Sequence, residues 1–149
     1  MQTFKKILII YILIFYIGLI YSQKVEKVLP NFLDCNILSN KHLDESDYTL
    51  VIVSGAGCGY CELAMKQLMQ YKNREKINII IYEFGTIEAI RNLHSKYFND
   101  FIFVEANTCK YYSNKIFPLY FLYYKNKLIW KQTKYKTNTL ETLNEKIYL

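Results

Sequence analysis

Two thiols stand three positions apart in Cys58-Gly59-Tyr60-Cys61. An apolar run over residues 48–53 precedes them, and a helix-like segment over residues 62–71 follows. Cysteines at this spacing can close a small disulfide without moving the flanking elements. The unpaired amides and dipole at a helix start favour a thiolate there. Zinc ligation would call for a second ligand pair at recognisable spacing, and Cys35, Cys109, His42 and His94 do not form one. An inert crosslink is the other alternative, but a strand, a Gly-rich turn and a helix start form a setting for an exposed, activated thiol. The pattern points to thiol–disulfide exchange. Cys58, bordered by Gly57 and nearest the free amides, is expected to attack. Cys61, one turn inward, is expected to resolve the mixed disulfide. Gly59 and Tyr60 would tune its geometry, with Tyr60 either touching substrate or forming ordinary rim surface.

Pro118 opens the apolar run at residues 119–124, a position where proline removes no interior ladder bond. Cys35 and Cys109 are the remaining thiols. A bridge between them would close a loop of about 75 residues, worth roughly 4 kcal/mol in chain entropy. Free or buried cysteines, or a relay through Cys109, are the competing readings. His42 beside the acidic stretch Asp44-Glu45-Ser46-Asp47 reads as surface. His94 reads as exposed or packed, and Trp130 as a sheet–helix packing residue. Glu83 is expected to end its strand in solvent.

These residues need elements to position them. Residues 48–53 and 77–82 are near-continuous apolar runs, as central strands covered on both faces should be. Residues 101–104 suggest a short third strand, and 119–124 with 128–131 a hairpin about Lys125-Asn126-Lys127. Helices are expected over 62–71, over a segment whose Ala89, Leu93 and Tyr97 share a face with Ile90, and after Asn138. There Asn138 can cap with Glu141 at the third position, and Leu140, Leu143, Ile147 and Tyr148 give the apolar face. Residues 107–114 read as a loop or single turn. Val25 to Leu29 could be a short strand or turn, and residues 23–47 as a whole form a looser extension. The order is strand–helix–strand–helix–strand–hairpin–helix, an α/β domain with a mixed sheet.

Lys5 and Lys6, fifteen uncharged residues from Ile7 to Tyr21, and then Ser22-Gln23-Lys24 have the layout of a secretory signal. Cleavage after Ser22 would leave one domain over 23–149. An uncleaved anchor is the competing reading, although fifteen residues rise only ~22 Å against a core of ~30 Å. The chain is then exported, periplasmic or extracellular, and meets a membrane only if the leader is retained. All four cysteines lie in the exported part, where disulfides are permitted. The formal charge of +6 falls to +4 without Lys5 and Lys6. The remaining lysines are scattered rather than striped, which argues against nucleic acid. No cofactor or metal is called for, and a monomer is expected.

Taken together, the apolar strand, the C-G-Y-C at a helix start, a proline opening a later strand, a hairpin and a terminal helix resemble the thioredoxin-like superfamily. Residues 82–124 look like its redoxin branch of exported thiol–disulfide oxidoreductases, which inserts a helix and strand between the catalytic helix and the proline. That resemblance implies a thioredoxin-like fold, a mixed central sheet flanked by helices with the inserted unit at residues 86–104. It also implies a cis bond between Phe117 and Pro118 beside Cys58, with both residues lining a peptide-binding edge. Protein or peptide thiols and an unknown redox partner would be the partners. Three positions depart from the pattern. Gly57 stands in place of a tryptophan, Gly-Tyr in place of Gly-Pro, and Ile52 in place of a buried acid. Proton transfer from Cys61 must then use water or another group, with Glu83 a candidate. A non-enzymatic binding module and a peroxiredoxin-like peroxidase are the alternative functions.

Overall fold

The computed structural model describes residues 27–112 and 116–147. The expected leader and its cleavage site, Val25, Asn114 and Tyr148 lie outside the described residues. Five strands form one sheet: β1 (Tyr48–Gly55), β2 (Ile77–Phe84), β3 (Ile102–Glu105), β4 (Leu119–Tyr124) and β5 (Lys127–Thr133), in the order β3-β2-β1-β4-β5. β1 pairs parallel with β2 from Tyr48↔Ile77 to Gly55↔Phe84, and β2 pairs parallel with β3. β4 runs antiparallel to both β1 and β5. Burial on both sides explains why β1 and β2 read as unbroken apolar runs rather than alternating ones. The turn from β4 to β5 has two residues, Lys125 and Asn126, at φ 45° and 65°. Positive φ at both positions is the geometry that matches the twist of a hairpin.

Three helices, α1 (Gly59–Met69), α2 (Ile87–His94) and α3 (Thr139–Ile147), pack on one face of the sheet. α1 contributes Ala64, Met65 and Leu68, α2 contributes Ile90, and α3 contributes Leu143 and Ile147. They cover Leu50, Ile52, Ile79, Ile81, Phe103, Tyr120 and Leu122. α2 and β3 are the helix–strand unit inserted before Pro118. The buried side of α2 is Ile90 and His94, with Leu93 exposed. This corrects the expected face through Ala89 and Leu93. The helix closes at His94 and tightens into a 3-10 turn, Ser95–Tyr97, and Tyr97 is buried in the same core as Ile90, as expected.

The opposite face carries no α-helix among the described residues. Phe32, Cys35 and Tyr112 cover Val51, Val53, Ile80, Tyr82, Phe121 and Tyr123 instead. The N-terminal stretch crosses this face from one sheet edge to the other. At β5 it pairs Val28 with Lys127, and Leu29 N–H donates to the Asn126 carbonyl at 2.9 Å. At β3 it pairs Ile37 with Val104, and Leu38 N–H donates to the Phe103 carbonyl at 2.9 Å. Ladder groups on both edge strands are thereby satisfied within the chain. A disulfide joins Cys35 to Cys109 with Cα atoms 5.4 Å apart. The buried Tyr82 hydroxyl donates to the Cys109 carbonyl and accepts from Tyr111 N–H at 3.0 Å.

Candidate active site

The site begins where β1 runs out. Ala56 N–H donates to the Phe84 carbonyl at 2.8 Å and Cys58 N–H to the Gly55 carbonyl at 2.9 Å. Gly57 takes φ +85°, which a side chain would disfavour. These contacts fold the chain back so that Cys58 becomes the N-cap of α1. Its sulfur accepts from Cys61 N–H at 3.2 Å. The helix therefore starts at Gly59, three residues before the expected start, because the glycine and tyrosine between the thiols already lie in its first turn. Cys58 and Cys61 form a disulfide with Cα atoms 5.2 Å apart. Cys58 is half-buried, whereas Cys61 is 1 % exposed within the helix–sheet core.

Phe117 and Pro118 reach this end of the sheet through β4. The antiparallel register that pairs Val53 with Leu119 brings Phe117 level with Gly55. Their peptide bond is cis. The Phe117 ring lies where a Gly55 Cβ would be only 2.6 Å from Cε2, so this strand end closes only around glycine. Lys134 N–H donates to the Pro118 carbonyl at 2.9 Å, which joins the end of β5 to the same corner. A cleft of about 350 Å³ opens there, lined by Tyr60, Ile116, Phe117, Lys134 and Tyr135. Tyr60 is 64 % exposed, and its ring stacks with Tyr135 at a centroid distance of 6.0 Å.

A second cleft, about 340 Å³, lies on the α2 side, lined by Cys58, Gly57, Gly59, Glu62, Asn92, Leu93, His94 and Lys96. Glu62 accepts from Lys96 Nζ and from the Tyr97 hydroxyl, both at 2.9 Å. Burial is the largest single influence on its carboxyl and opposes ionisation. The two hydrogen bonds and the Lys96 and His94 charges outweigh burial and hold it below the usual carboxylate range.

Glu83 is fully buried, not at a solvent-facing strand end. Its alternation with Ile79 and Ile81 turns it inward, where its Oε1 lies 3.2 Å from His94 Nε2. The period of two was a signal for this placement. The lone acid at the end of the run obscured it, because sequence reading sends an unpartnered carboxylate to water. His94, Lys96 and Tyr97 had no comparable signal, since only the packing of α2 carries them to the Cys58 cleft. Ile52, six positions before Cys58, is buried in the core. Ser54 and Tyr120 hydroxyls nearby are buried without hydrogen-bond partners. Burial, with the neighbouring Tyr135, pushes the Tyr120 phenol well up. His42 is exposed, and Trp130 packs near Tyr120 at 6.3 Å on the helix-covered face.

A dithiol–disulfide couple capping the helix that follows the central strand, with a proline-opened strand alongside, defines a thioredoxin-like protein equipped for disulfide chemistry. Solved structures with the same architecture include a Chlorobium tepidum protein assigned as the thiol:disulfide interchange protein DsbE. It has 14% identity and a TM-score of 0.57, over 69% of this chain and 79% of that one. StoA from Bacillus subtilis has 13% identity and a TM-score of 0.54, over 68% and 83%. A secreted Mycobacterium tuberculosis disulfide oxidoreductase has 13% identity and a TM-score of 0.54, over 68% and 81%. No family model and no curated protein matches the sequence.

Proposed function

We propose that this protein carries out thiol–disulfide exchange on exported protein or peptide substrates, with Cys58 attacking and Cys61 resolving. The observation that carries this reading is the unequal access of the two sulfurs on one helical turn. Cys58, at the N-cap, is half-buried and borders a cleft, whereas Cys61 is 1 % exposed. An incoming disulfide can reach the first, and the second is held to displace it. Gly59, Tyr60, Phe117 and Pro118 form the substrate edge, and the apolar cleft of Tyr60, Ile116 and Phe117 suits a side chain flanking the substrate cysteine.

Export is supported by the basic, apolar and small-residue order of residues 5–24 and by a second disulfide, Cys35–Cys109, which an oxidising compartment preserves. No helix among the described residues is long and apolar enough to cross a membrane. We read the chain as a monomer over 23–149, with Cys35–Cys109 a structural bond. Whether it oxidises or reduces follows from its potential against the partner couple. Insulin reduction and reactivation of a scrambled disulfide substrate test the proposal. Cys58→Ala is expected to abolish both activities, and retained turnover in that variant would overturn the mechanism.

A further inference from the structure

The wall of the Cys58 cleft carries a group that the exchange steps leave unused. The side chain of His94, the last residue of α2, is 4 % exposed, and that of Glu83 on β2 is 0 % exposed. His94 Nε2 lies 3.2 Å from Glu83 Oε1, and Nδ1 lies 3.5 Å from Glu62 Oε2. These are close charge contacts without hydrogen-bond alignment. A neutral imidazole has one N–H and one lone pair, so one of its nitrogens would point a lone pair at a carboxylate oxygen. The doubly protonated ring instead sets a positive charge between the two carboxylates. Burying a carboxylate away from water is costly unless a cation offsets it, and His94 is the basic group against Glu83 among the described ion pairs.

We propose that His94, held as an imidazolium by the sealed Glu83 carboxylate, is a positioning residue that sets the charge on Cys58. This rests on Cys58 being the attacking thiol. His94 and Cys58 line the same cleft, so the fixed positive ring favours a thiolate there, adding to the start of α1. The other groups facing the ring are few. Glu62 on α1 opposes the thiolate, but Lys96 at 2.9 Å and Lys66 at 3.8 Å offset it, and the Tyr97 hydroxyl hydrogen-bonds to it. On β3, the Phe103 ring stacks against the imidazole at 5.7 Å. The Cys58 thiolate attacks a substrate disulfide, forming one S–S bond and releasing the other substrate sulfur as a thiolate that takes a proton from water. Cys61 gives its proton to water and attacks the Cys58 sulfur. The second substrate sulfur then leaves and is protonated in turn. The substrate disulfide ends as two thiols and the Cys58–Cys61 pair as a disulfide. His94 neither gives nor takes a proton in this sequence. It lowers the cost of charge on Cys58.

The test titrates Cys58 in the Cys61→Ser background with Cys35–Cys109 left oxidised, by thiolate ultraviolet absorbance and by iodoacetamide alkylation rate against pH. His94→Asn should raise the midpoint by about one pH unit and slow alkylation about tenfold below it. Glu83→Gln should also raise it, and that sign is decisive. Removing a negative charge from the protein interior would by itself lower the midpoint, so a rise requires loss of the imidazolium. His94→Lys, which keeps a charge, should retain most of the wild-type value. An unchanged midpoint in His94→Asn, or an unchanged or lowered one in Glu83→Gln, overturns the proposal. If His94→Asn does not fold, the sign for Glu83→Gln decides. The titration needs no substrate, so a protein with these shifts but no activity on peptide disulfides would sink the exchange function and leave the His94 role standing.

Discussion

At the scale of single residues, the proposed division of work between the cysteines follows their unequal access. Cys61→Ser should therefore accumulate a covalent mixed disulfide through Cys58, because the internal escape route is gone, whereas Cys58→Ser should not. Mass spectrometry of protein incubated with a peptide disulfide reads this directly, and equal trapping by both variants would count against it. Glu62 offers a pH-dependent counterpart. Its folded carboxyl lies below its ordinary value of 4.5, so its contribution is fully present above that pH and is lost as pH falls through the depressed value. Glu62→Gln should cost under about 1 kcal/mol near neutrality, since the group is partly solvated. The gap from wild type should close in thermal melts below pH 4.5. A gap that persists in acid would mean that the ion pairs are not its source.

Among the elements, the meeting of β1 with the residues before β4 sets the shape of the candidate substrate edge. Gly55 leaves no room for a methyl group beside the Phe117 ring. Gly55→Ala should destabilise the fold by about 1–3 kcal/mol through overpacking. It should also slow exchange with peptide disulfides more than with a small aromatic disulfide, because the displaced ring lines the cleft proposed to take the peptide. Chemical denaturation and the two exchange rates measured together check this. Equal slowing on both substrates would uncouple Phe117 from peptide binding.

At the scale of the whole molecule, the face opposite the helices is closed by a strap of extended chain instead of a helix. Residues 27–38 span that face, bond both edge strands and are tied down by Cys35–Cys109, across a sequence separation of 74. Replacing Cys35 and Cys109 together by Ser should cost roughly 4 kcal/mol on the chain-entropy model, somewhat less where native strain is relieved. The Cys58–Cys61 pair should keep its exchange rate in the folded fraction. Loss of exchange at full stability would assign Cys109 a relay role instead.

What the sequence by itself determined was whatever depends on near neighbours. Residues 48–53 and 77–82 read as central strands because an unbroken apolar run needs cover on both faces, and β4 over Leu119–Tyr124 followed from the proline before it. Cys58-Gly59-Tyr60-Cys61 could be read as a redox couple because three residues of spacing and a helix start are local properties. The path of residues 27–38 was not legible, since Phe32 and Cys35 have no period and their partners lie across the sheet. Glu83 and His94 show the limit most clearly. Each alone belongs in water by its desolvation cost, and only the packing of α2 against β2, which sets an imidazole 3.2 Å from a carboxylate, lets both be buried. That energy belongs to the pair, and the pair exists only once the chain has folded.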